Sequence, residues 1–246
     1  MRRVCILLFL LTATAALAEA SAETYLYRAS MVQAAPGKVV ELIGLYQRSF
    51  PLIAASGDAA PLWMRHSQGD RWDLLILYPM GSYGDYYSAE RITRRSKALP
   101  SDLSKGIRQD IAFQEDLFVY GPPLEQVRDA FAPAGLFHIE IMRALPGKQA
   151  EVYRERQMES AYQKALGRPE LLIFVRDQGA AWDVFSIDVY RDLKHYAESV
   201  DIPREKQMAA AHTAGYDTPD DIGPYYRSVI ATHHDTLATA IRPPQK

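Results

Sequence analysis

Cysteine is almost absent from this chain. The single residue, Cys5, lies near the N-terminus of the 246 residues, so everything after it has no disulfide, thiol nucleophile or thiolate metal site. Strong charge of either sign is absent too. The 28 basic and 30 acidic side chains give a net charge of -2, which argues against a nucleic-acid partner. Several chemistry-bearing motifs are missing. There is no HExxH or similar metal-ligand spacing, no Gly-x-Ser-x-Gly elbow, and no phosphate loop, for which Gly81-Ser82-Tyr83-Gly84 is too short. What remains is ordinary globular composition, 48% apolar and 24% charged. The length suits one large domain or two of about 100 residues.

The first residues read as an address. Met1-Arg2-Arg3 is basic, residues 4–11 are apolar, and Ala16-Leu17-Ala18 has the small-x-small form that a signal peptidase accepts. Ala18-Glu19-Ala20 and Ala20-Ser21-Ala22 are rival sites, and the residues after Arg2-Arg3 do not continue a twin-arginine pattern. The apolar run is too short to span a bilayer, and no later stretch is long enough. Residues 1–18 are therefore expected to be a signal peptide removed after Ala18. A soluble periplasmic or secreted protein would remain, held by its core rather than by disulfides.

The most informative feature is an internal repeat. Ala34, Pro36, Gly37 and Lys38 recur as Ala144, Pro146, Gly147 and Lys148. Gln68, Gly69, Trp72 and Asp73 recur as Gln178, Gly179, Trp182 and Asp183. At the same offset of 110, Glu41, Ala55, Gly57 and Tyr86 meet Glu151, Ala165, Gly167 and Tyr196. Composition alone would give roughly a quarter of these identities. Each copy reads β-α-β-β-α-β. In the second copy Phe137, Ile139 and Ile141 alternate with His138, Glu140 and Met142. A helix follows Pro146-Gly147, and Gln178-Gly179 turns a hairpin. In the strand near 182–190, Phe185, Ile187 and Val189 share one face. The second copy carries nine extra residues before its last strand, broken by Gly215, Pro219 and Pro224. The expected division is residues 23–123, a linker at 124–133, and residues 134–246.

The strand followed by Pro-Gly-Lys and a helix, and the Trp-bearing hairpin, both seen twice, resemble the dimeric α+β-barrel superfamily. That superfamily includes NIPSNAP-type proteins, antibiotic-biosynthesis monooxygenases, EthD-like proteins and stress-responsive barrels. The resemblance implies an α+β fold in which tandem ferredoxin-like repeats form a barrel within one chain, as a monomer or a homo-oligomer of fused barrels. It also implies that one sheet face is covered by helices and the other lines the barrel.

The more apolar set on each strand is expected under the helices. This assigns His138, Glu140, Met142, Val184, Ser186 and Asp188 to the barrel interior, and by the offset Arg28, Ser30, Val32, Leu74, Ile76 and Tyr78. His138, Glu140 and Asp188 are then candidate catalytic residues, the histidine acting as general base between two carboxylates. Arg28, Tyr78 and Ser186 are candidate ligand contacts, with Arg28 approaching from the facing sheet to hold an anionic group. Alternatively, the polar set is a buried network that binds nothing.

His138, Glu140 and Asp188 could together ligate an ion, but one histidine with carboxylates is weak evidence, and no metal is assigned. His195 and His212 could serve as haem ligands, because some members of the resembled superfamily bind haem. No cofactor is named by the residues. Trp72 and Trp182 read as hairpin packing, His233-His234 as a hydrated segment before the last strand, and the basic stretch around Arg94-Arg95 as a solvated helix face. Two function classes remain: an exported enzyme of oxygenase, isomerase or lyase type acting on a small, partly apolar molecule in the barrel, or a binding or interaction module with a filled barrel. An open interior converging on His138 would favour the first, and a filled one the second.

Overall fold

The computed structural model describes residues 25–241. The expected leader and its cleavage site lie outside them. The first repeat runs β1 (Tyr25–Ala34), α1 (Val39–Ala55), β2 (Leu62–Gln68), β3 (Leu74–Gly81), α2 (Tyr83–Tyr86), α3 (Ala89–Ala98), α4 (Ser101–Gln109) and β4 (Ile111–Gly121). α5 (Leu124–Phe131) leads into the second repeat: β5 (Leu136–Ala144), α6 (Gln149–Ala165), β6 (Leu172–Gly179), β7 (Val184–Tyr190), α7 (Leu193–Ala197), α8 (Arg204–Ala214), α9 (Ile222–Val229) and β8 (Ile230–Ala240). No helix among the described residues is long and apolar enough to cross a membrane.

The two antiparallel sheets have the equivalent orders β4-β1-β3-β2 and β8-β5-β7-β6. Pairing of β2 with β8 and of β4 with β6 joins them into one closed eight-stranded barrel. Closure removes every sheet edge that could template aggregation. The repeated Trp-Asp pairs have a structural role. The Asp73 carboxylate accepts from the Ala34 amide at 2.8 Å, and the Asp183 carboxylate accepts from Ala144 at 2.9 Å. Each aspartate also donates its own amide, to Val32 and Met142 respectively, so each hairpin is pinned to the end of its repeat's first strand.

The barrel interior is filled and apolar. One continuous cluster takes side chains from all eight strands, among them Met31, Met64, Leu77, Val119, Ile139, Phe174, Ile187 and Ala238. Phe174 and Phe185 stack there at 4.7 Å. This reverses the expected orientation of β1, β3, β5 and β7. Phe137, Ile139, Ile141, Phe185, Ile187 and Val189 fill the barrel. Val32, Leu74 and Ile76 instead pack beneath α1 with Leu42, Tyr46 and Phe50. Met142 and Val184 pack beneath α6 and α9 with Val152, Tyr226 and Val229. The reason is access to water. A barrel interior closed by two sheets is dry, so burying a polar group there is costly without a partner. The helix-covered face is open at its margins and can bond to polar side chains on the helices.

Candidate functional site

The polar set predicted for the interior lies on the outer sheet face, beneath the second repeat's helices. Strand register brings it together. On β5, His138 stands opposite Asp188 of β7, and Glu140 stands opposite both Ser186 of β7 and Asp235 of β8. Directly opposed residues share a face, so these five side chains form one patch. The helix layer completes it with Glu155, Arg156 and Glu159 of α6, Tyr196 of α7 and Tyr226 of α9. Arg28 and Tyr78 are not part of this patch. They sit opposite each other on β1 and β3, under the helices of the first repeat. Arg28 therefore cannot balance the charge of His138's neighbours from across the barrel.

Arg156 supplies that balance. Its side chain is 1% exposed and bonds three carboxylates: Glu155 at 2.7 Å, Glu140 and Glu159. Its guanidinium carbon lies 4.2 Å from the centre of the Tyr226 ring. Tyr216 adds a hydrogen bond to Glu155 at 3.2 Å. Five carboxylates thus surround one arginine and one histidine. Burial, reinforced by Glu159 and Asp188, raises the Glu140 carboxyl above its ordinary value against the pull of Arg156. Glu159 is raised in the same way.

His138 pairs with Asp188. Its Nδ1 is 3.0 Å from Asp188 Oδ2. Burial acts to lower the imidazole pKa, but the Asp188 hydrogen bond and the charges of Asp188, Glu140 and Asp235 outweigh it and raise the value. A carboxylate can only accept, so the neutral ring carries its proton on Nδ1 and leaves Nε2 bare. Nε2 lies 4.0 Å from Asp235 Oδ1, and the Asp235 side chain is 50% exposed. Asp188 Oδ1 and the Tyr226 hydroxyl are buried without a hydrogen-bond partner among the described residues. His138, Glu140 and Asp235 place one ligand-type atom each within 4.8 Å of one another, a spacing that can hold a cation. Asp188, the third ligand suggested by the sequence, instead bonds the histidine from behind.

Three further expectations change. His233 and His234 belong to β8 itself; His233 pairs with Asp235 at 3.2 Å and His234 with Asp70 at 3.2 Å. His195 and His212 are engaged by local backbone, at the Arg191 amide and the Asp217 carbonyl. The basic stretch of α3 is not fully solvated, because Arg91 and Arg95 turn inward onto the buried Asp58.

No protein-family model matches the chain, and no curated protein does. Solved structures do match. One is a proposed monooxygenase from Lactobacillus acidophilus, 9% identical over 88% of this chain and 94% of that one, with a TM-score of 0.53. An anthrone oxidase-like protein is 11% identical over 92% and 96%, with a TM-score of 0.56. A proposed monooxygenase from Fusobacterium nucleatum is 9% identical over 90% and 94%, with a TM-score of 0.53. The chain has the ferredoxin-like α+β-barrel fold. Its two repeats carry different chemistry at equivalent addresses: Arg28, Ser30, Tyr46 and Tyr78 in the first stand where His138, Glu140, Arg156 and Asp188 stand in the second. The α6 side chains were missed at the sequence level, yet Val152, Glu155, Arg156 and Glu159 follow helical spacing on one face.

Proposed function

We propose that the chain is an exported enzyme acting on a small, partly apolar molecule at the His138 patch beneath the second repeat's helices. His138 takes a proton from the substrate, Asp188 orients the imidazole, and Glu140 is the neighbouring carboxyl group. One observation carries the reading: Nδ1 is held by Asp188 at 3.0 Å while Nε2 is turned to the half-exposed Asp235, 4.0 Å away. A base fixed in tautomer and orientation is what proton abstraction requires. The filled barrel would by itself suit a binding module, but the polar cluster does not depend on the interior.

The chemistry is of oxygenase type: the carbanion left by proton removal is oxidised by O2. The proposed monooxygenase and anthrone oxidase-like structures of the same fold support this choice. The basic and apolar order of the first residues, with Ala16-Leu17-Ala18, supports export.

Anthrone in aerated buffer is the test. One anthrone and one O2 give one anthraquinone, whose new carbonyl takes one oxygen atom, and one water takes the other. His138→Ala should lower kcat/KM by about 10²–10⁴-fold. The wild-type rate should rise with pH as His138 loses its proton, above the ordinary histidine value of about 6.5. Equal turnover by His138→Ala removes the histidine from the mechanism. Background rates with the wild type remove the oxygenase assignment.

A further inference from the structure

The first repeat holds a cavity of about 130 Å³ between its sheet and α3, apart from the His138 patch. Arg28 of β1 and Arg95 of α3 line it, with Asp58, Tyr78 and Tyr86. The charges there do not cancel. Asp58 is held by Arg91, Nε to Oδ1 at 2.5 Å, and Arg91 spends another nitrogen on the Met80 carbonyl at 2.9 Å. Arg95 Nη1 stands 3.5 Å from Asp58 Oδ2, an ion pair without a hydrogen bond. The Nε of Arg28 is buried with no acceptor. The next carboxylate along, Asp116, is taken by Ser30 and Gln114.

Both guanidinium groups are also held in place. Arg28 lies 4.2 Å from the centre of the Tyr78 ring, and Arg95 lies 3.7 Å from that of Tyr86. Stacking on an aromatic face fixes the plane of an arginine and leaves its N–H edge free. Beyond the arginines the wall is apolar, formed by Ile53, Pro79, Ala98 and Leu99.

We infer that this cavity binds a small organic carboxylate, its charged end between Arg28 and Arg95 and its apolar body against the wall formed by Ile53 and Leu99. Two N–H groups that lack acceptors then gain them, and charge-assisted bonds to a carboxylate are the strong kind. The inorganic phosphate ion shares the charge but has no apolar body to fill the cavity.

Titrating the full chain with benzoate, and separately with inorganic phosphate, tests this by calorimetry. Benzoate is expected to saturate at one per chain. Arg28→Met and Arg95→Met should each weaken it about tenfold or more, while Arg94→Ala, on the same helix but paired outward with Glu90, leaves it unchanged. If Arg28→Met fails to fold, Arg95→Met on the surface helix decides. No saturation by benzoate, equal loss in Arg94→Ala, or phosphate binding in place of benzoate overturns the inference.

Discussion

Arg156→Met is expected to remove about 3–5 kcal/mol of stability near neutral pH, because it strands buried carboxylates. The arginine is 1% exposed and is bonded to Glu140, Glu155 and Glu159. Methionine keeps an apolar stem but no charge, so desolvation of three acids goes uncompensated. The loss should depend on pH. A carboxyl whose folded pKa is raised above its unfolded value contributes stability that is fully present below the unfolded value. That stability is lost as pH climbs through the folded value. Burial already raises Glu140 with Arg156 in place, and removing the arginine raises it further. Urea unfolding should therefore show a smaller deficit at pH 5 than at pH 8. A variant within about 0.5 kcal/mol of wild type at both pH values would mean that the arginine is not what holds this cluster.

The second large effect lies at the seams of the barrel. Gly179→Ala should cost about 3 kcal/mol or more, and Gly69→Ala a similar amount. Both glycines have φ in the left-handed range, +107° and +114°, where a side chain is strained. Space is also lacking. A Cβ at 179 would meet the Asp116 carbonyl at 2.5 Å and the Leu117 Cα at 2.9 Å; one at 69 would meet the Asp235 carbonyl and the Thr236 Cα. These obstacles are backbone atoms of β4 and β8, the strands across the two seams, so relief requires a seam to open. Thermal unfolding measures the loss. Alanine variants as stable as wild type would show that the seams do not pass so close at these turns.

Those glycines show why much of the fold was legible in the sequence. Gln-Gly and Trp-Asp recur at one offset because each copy needs the same turn, the same close approach and the same aspartate pin on its first strand. The repeat therefore yields the ferredoxin-like order and the fused barrel. Orientation was not legible by the same route. Alternation shows that a strand has two faces, and assigning the apolar face to the helices is sound for an isolated sheet. Once a second sheet closes over the other face, that face becomes the drier one, and His138, Glu140 and Asp188 move beneath the helices as a group. They stay together because register, not facing, joins them. Arg28 separates from them because it belongs to the other sheet. Arg156 is invisible to a search for apolar stripes, since the inward face of α6 carries Glu155, Arg156 and Glu159 beside the single aliphatic Val152.

Proton abstraction by His138 requires a bare Nε2, with the ring held by Asp188 beneath the helices. Long-range ¹H–¹⁵N correlation spectra of protein labelled at histidine read this directly across a pH titration. The account predicts a midpoint above the ordinary value of about 6.5 and, once the ring is neutral, a proton on Nδ1 with Nε2 unprotonated. A midpoint below that value, or a neutral ring protonated on Nε2, would contradict it.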